Sequence, residues 1–165
     1  MKSIPTIVLV CVLTGCAAPA YQPVPPGYRG SIATLSDGGS SEGRMSARIF
    51  AVTEIDGNQI ENSIEATNRA SAGHGLSQAV KWIRREVLPQ PMKVKLVGRT
   101  VAAAPIVGIF AALAGTSFSV EGIVSFHPQP GGFYAVNGEL GKEGSSVWIE
   151  DALTSKPVTE RAFAK

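Results

Sequence analysis

The chain has 165 residues, 44% of them hydrophobic, with 15 Lys and Arg against 13 Asp and Glu. A formal charge of +2 excludes a strong polyanion binder, and two cysteines supply neither a disulfide framework nor a Cys-based metal cluster.

Met1 and Lys2 form a short positive start, and Ile4 to Leu13 form an apolar run of about ten residues, the length of a secretory leader and too short to span a bilayer. The run closes on Leu13, Thr14, Gly15 and Cys16. That pattern resembles the lipobox of bacterial lipoproteins. The resemblance implies a diacylglyceryl thioether on Cys16, cleavage before it, and acylation of the new amino group. Cys11 leaves with the leader, so the folded part holds no thiol for a metal or for nucleophilic catalysis. The sorting rule of that family retains chains with aspartate after the cysteine on the inner membrane. Ala17 stands there, which implies the outer membrane, with the domain facing the periplasm.

Pro19, Pro23, Pro25 and Pro26 then follow without apolar periodicity. Polyproline II chain rises about 3.1 Å per residue, so Ala17 to Tyr28 reads as a spacer reaching roughly 37 Å. The expected organisation is a leader over 1–15, a lipidated cysteine and proline-rich tether over 16–28, and one domain over 29–165. Without residues 1–15 the chain keeps 150 residues, enough for one compact core, and a formal charge of +1 once Lys2 is gone.

Within that domain strand signals dominate. Ser46 to Ile60 alternates and carries Asp56 and Gly57, a hairpin cue. Met92, Val94 and Leu96 alternate with Lys93 and Lys95, and Phe118, Val120, Val124 and Phe126 oppose Ser119, Glu121 and Ser125. His127 to Gly132 must turn. Tyr134, Val136 and Leu140 then point inward, and two more short strands, SVWIED and VTERAF, end the chain. Glu61 to Gly75 is polar and weakly periodic and reads as a long loop, while the second half of Leu76 to Leu88 reads as a strand. The fold class is all-β, a small antiparallel β-sandwich with a short helical crossover near residues 101–116.

That crossover, Val101 to Phe118, holds no charge. Pro105, Gly108 and Gly115 make it a poor spanning helix, so it reads as a buried connection. The alternative is an exposed apolar lip built on Ile106, Ile109, Phe110 and Leu113 that touches lipid or a partner.

No catalytic constellation stands out. His74–Gly75 lacks the third glycine of a dinucleotide loop, Gly141–Lys142 lacks the first glycine of a phosphate loop, and there is no G-x-S-x-G elbow. His74 and His127 have no ligand partner at metal spacing. Glu150 and Asp151 are adjacent on a strand and point to opposite faces. Neither a metal nor a cofactor is expected, and the chain reads as a non-enzyme. Nucleic acid is not an expected partner. Lys81, Arg84, Arg85, Lys93, Lys95 and Arg99 share one stretch with the single acid Glu86 and form a candidate basic patch for an anionic glycan or lipid phosphate. The acids concentrate between Glu121 and Glu160. Trp148 and Tyr134 fit a core, with sugar stacking as the alternative.

The run GFYAVNGELGKEGSSVWIED, with VEGIVSFHPQPG before it and PVTE after it, resembles bacterial envelope lipoproteins that carry transthyretin-like or PEGA-like sandwiches. It covers Lys93 to Glu160 and implies a fold without an activity. The expectation is therefore a lipid-anchored periplasmic binding domain of the outer membrane, an accessory of an envelope complex or secretion system. The alternative is a module binding peptidoglycan or lipopolysaccharide through residues 81–99, and an unidentified hydrolase comes last.

Overall fold

The computed structural model describes residues 21–164; the leader, Cys16 and residues 17–20 lie outside them. Ten strands and two helices make two sheets face to face. Alternation produces the strands where it was expected. β3 (Ser46–Ile55) turns through Asp56 and Gly57, with φ of 48° and 79°, into β4 (Asn58–Gln59). That is the left-handed pair a two-residue hairpin turn requires, and glycine takes the second position without a Cβ clash. β6 (Met92–Ala102) pairs antiparallel with β3 on one side and with β7 (Ser119–Phe126) on the other. β2 (Gly38–Glu42) completes this sheet in the order β2-β3-β6-β7.

The second sheet runs β10-β9-β8-β1-β5, from β1 (Ala33–Ser36), β5 (Arg84–Val87), β8 (Phe133–Glu139), β9 (Ser146–Asp151) and β10 (Ala162–Phe163). β1 lies parallel to β8, and the other pairings are antiparallel. The all-β sandwich is therefore correct, with one parallel pair inside it.

The two sheets meet over Leu35, Phe50, Val52, Val94, Leu96, Val124, Phe126, Val136, Val147 and Ile149, all buried. Phe50 sets the spacing between them. Its ring occupies the place where a Cβ on Gly98 of β6 or Gly138 of β8 would go, so both positions need glycine for close approach. Tyr134 packs edge-on to Phe126 at 5.0 Å between centroids, and its hydroxyl accepts the Gln129 N–H at 2.9 Å.

β1 and β2 form one extended stretch that changes sheets at Asp37. Such a corner leaves backbone groups to be matched across both layers. Asp37 supplies the match. Its side chain is fully buried and accepts four hydrogen bonds: from the Val52 N–H at 3.0 Å, the Ser63 N–H at 2.8 Å, and Arg85 Nη1 and Nη2 at 2.8 and 2.9 Å. Its own N–H donates to the Ile83 carbonyl.

One expectation is corrected here. Residues 61–75 are not a long loop, because Ser63–Ser71 forms α1. Asn62 caps it, its side chain accepting the Glu65 N–H at 3.0 Å, and Gly73 follows the end with φ 83°. The buried face of α1 consists mostly of small and hydroxyl-bearing residues, Ser63, Ile64, Ala66, Thr67 and Ser71, so hydrophobic periodicity could not reveal it. The hydroxyls of Ser71, Thr67 and Ser63 accept the N–H groups of Ala79, Lys81 and Ile83 at 3.0, 3.0 and 2.8 Å. Four helical residues advance about 6 Å and two extended residues about 6.6 Å, so a hydroxyl every fourth position can meet an N–H every second one. The helix acts as a strand partner for residues 79–83, which lead directly into β5. The strand expected in the second half of 76–88 is thus present. Ile64 joins Ala47, Ile49, Ala51, Val97 and Val101 in a second small core between α1 and the outer face of β3 and β6.

Removing the Asp37 carboxylate leaves the Arg85 guanidinium buried without its counter-charge. Asp37→Ala should cost about 3–5 kcal/mol in urea denaturation, and Asp37→Ala with Arg85→Met should recover part of it. A single-variant loss under about 1 kcal/mol would contradict this role.

Candidate functional site

The charge-free crossover yields the most unusual surface. α2 (Pro105–Leu113) starts with proline at its first turn, where a missing N–H costs nothing, and has no side-chain cap on its N-terminus. It ends in a Schellman motif. Gly115 takes φ 65°, Thr116 N–H donates to the Ala111 carbonyl at 2.9 Å, and Gly115 N–H donates to the Ala112 carbonyl at 3.0 Å. Local signals therefore make the helix, and packing does not: none of its residues is buried. The expectation of a buried connection is overturned. Unlike α1, which is equally long and packs on the outer face of β3 and β6, α2 buries no face against either sheet.

Ile106, Ile109, Phe110 and Leu113 are 56, 60, 64 and 80% exposed. The lip extends beyond the helix. The Met45 carbonyl accepts the Ala103 N–H at 2.8 Å, which sets the exposed Met45 at the base of α2. The Arg44 carbonyl accepts the Gln78 N–H, and Gln78 Nε2 donates to the Val101 carbonyl at 2.9 Å, bringing exposed Leu76 to the same end. Three separate connections thus expose apolar side chains at this end of the sandwich, a candidate recognition patch. Among the described residues no helix is long and apolar enough to cross a membrane.

The six bases do not gather. Arg85 is buried on Asp37, its side chain 8% exposed, and Nη2 also donates to the Glu61 carbonyl at 3.2 Å. A guanidinium held in a bidentate pair is not available to a ligand, so Arg85 leaves the expected patch. Lys81 and Arg84 are exposed just before and within β5. Lys93, Lys95 and Arg99 instead share the outer face of β6 in the other sheet. Lys93 Nζ donates to Ser125 Oγ at 2.7 Å. Lys95 Nζ lies 3.2 Å from Glu54 and 3.9 Å from Glu121. The hydrogen bond to Glu54, and then the charges of Glu54 and Glu121, raise the Lys95 pKa above its ordinary value.

Lys95 and Arg99 line a groove of about 700 Å³ beneath α1. Glu54, Glu61, Glu65 and Arg69 line it too, so three acids balance three bases. Arg69 pairs with Glu61 at 2.7 Å. A groove so neutralised lacks the field an anion site requires.

Trp148 is buried and offers no open ring. Its Nε1 donates to Glu150 Oε2 at 3.2 Å, and the Arg161 guanidinium covers the ring at 3.9 Å. Glu150 also accepts from Asn137 Nδ2 at 3.0 Å. Asp151 faces the turn after β9 instead, accepting the Thr154 N–H at 2.8 Å, the Thr154 hydroxyl at 3.0 Å and the Leu153 N–H at 3.0 Å. The two carboxylates are tied into separate networks and form no acid–base pair. No group of three His, Asp or Glu placed to hold a metal occurs among the described residues.

No family model, curated protein or solved structure matches this chain.

The Thr154 contacts, the backbone one first, hold the Asp151 pKa below its ordinary 3.8, against a smaller opposing effect of burial. A depressed carboxylate stabilises the fold above its unfolded pKa and loses that contribution as pH falls through the folded value, so the loss of stability occurs below pH 3.8. Thr154→Val should move the Asp151 titration upward in carboxylate carbon NMR. An unmoved titration would refute the assignment.

Proposed function

We propose that this chain is a lipid-anchored domain of the bacterial outer membrane, facing the periplasm, that works by binding: an accessory subunit docking through α2 onto an apolar groove of an envelope protein complex. The observation that carries the reading is a charge-free helix of nine residues, closed at its C-terminus by a Schellman motif, with none buried and with exposed Met45 and Leu76 near its base. Burying Phe110 and Leu113 in a partner would contribute about 1.5–3 kcal/mol each, which suits a central anchor of a modest interface. The side chains of Glu150, Asp151 and Trp148 are engaged internally, and this favours binding over a reaction. The address rests on the lipobox residues Leu13 to Cys16.

A photoreactive benzophenone side chain at Phe110, in the intact envelope, should give one protein adduct of defined mass that the same probe at the exposed Phe163 does not give. Phe110→Asp should keep its thermal midpoint within a few degrees and compete for that partner at least tenfold less well than wild type. Adducts only to lipid, only to a second copy of the chain, or equally from both positions would overturn the proposal. Intact mass of the purified chain tests the address, with a diacylglyceryl adduct on Cys16 as the expected result and an unmodified cysteine as the opposing one.

A further inference from the structure

The position of residues 22–24 against the sandwich restricts how the domain meets its membrane. Gln22, Pro23 and Val24 line a shared groove with Thr34, Arg84, Arg85 and Glu86, so the proline-rich segment lies along the β5 edge rather than standing free. Only the five residue steps from Tyr21 back to Cys16 remain to reach a lipid. Fully extended chain spans at most about 3.6 Å per residue, so the sulfur-bearing residue lies within roughly 18 Å of Tyr21. A spacer of 37 Å is not available. The bilayer must come close to the β5 edge.

That edge carries matching chemistry. Side chains alternate along it: Trp82, Arg84 and Glu86 are exposed, while Ile83 is half-buried, Arg85 is tied to Asp37, and Val87 is in the core. Lys81 is exposed beside Trp82 and, like Arg84, makes no ion pair among the described residues. An indole 47% exposed on the same side as Arg84 and Glu86, with exposed Lys81 next to it on the other side of the extended chain, has the composition of a membrane–water interface contact along an edge. Basic groups near an anionic leaflet are drawn to it within a Debye length.

We infer that the β5 edge rests on the headgroup layer of the membrane holding the Cys16 lipid, with Trp82 at headgroup depth and Lys81 and Arg84 on lipid phosphates; this rests on the reading of Cys16 as lipid-modified.

The test uses the full lipidated chain in vesicles of phosphatidylethanolamine and phosphatidylglycerol that carry a nitroxide-headgroup lipid. Trp148 is buried, so Trp82 reports alone on quenching by that lipid. Its emission should fall about twofold or more. The effect should persist in Trp148→Phe, vanish in Trp82→Phe, and weaken in Lys81→Gln/Arg84→Gln or when phosphatidylglycerol is omitted. A chain whose intact mass carries the lipid on Cys16 and whose Trp82 is not quenched overturns this inference and leaves the lipoprotein reading standing. A chain with no lipid on Cys16 overturns both.

Discussion

Asp37 is the constraint on which the architecture depends. One carboxylate gathers groups from residues 52, 63 and 85, and these belong to one sheet, the start of α1 and the other sheet. Burying a charge costs several kcal/mol, which a bidentate guanidinium and two backbone donors offset when all four are in place. Buried pairs of this kind add little net stability over a hydrophobic substitute. We take the value of this one to be specificity, because a strand that leaves one sheet and enters another has no ladder to hold it at the crossing. A hydrophobic residue at the corner would leave the N–H groups of Val52 and Ser63 without partners.

With that corner fixed, the rest follows from close packing. Phe50 fills the space left by Gly98 and Gly138, and the sheets close around it. The β6–β7 connection lies outside that core. A stretch whose composition suits a core thus stands on the surface. Binding surfaces on connections borne by a rigid frame are the usual arrangement in sandwich folds.

The strands over 46–55, 92–102, 119–126 and 133–139 are legible because period two survives in their sequence: β7 and β8 have one face on the core and the other largely exposed, and β3 and β6 keep the alternation although α1 covers part of their second face. α1 is not legible, because its inner face is made of hydroxyls whose burial is justified only by the chain beside them. The role of Arg85 is hidden for a similar reason. Its partner lies 48 residues away in a serine- and glycine-rich stretch that shows no pattern. The apolar residues Ile106, Ile109, Phe110 and Leu113 of α2 can be named from sequence, but their exposure cannot. Apolar composition always argues for burial, and only the structure shows otherwise.

The hydroxyl ladder of Ser63, Thr67 and Ser71 contacts the backbone of residues 79–83 and is indifferent to their side chains. This divides tolerance to change in an uneven way. Exposed positions in the segment can exchange one side chain for another without disturbing the ladder. Adding or deleting a single residue there would put every second N–H out of step with a helix that offers an oxygen only every fourth position. The segment is thus free in letters and fixed in length, whereas the three hydroxyls opposite it are fixed in letters.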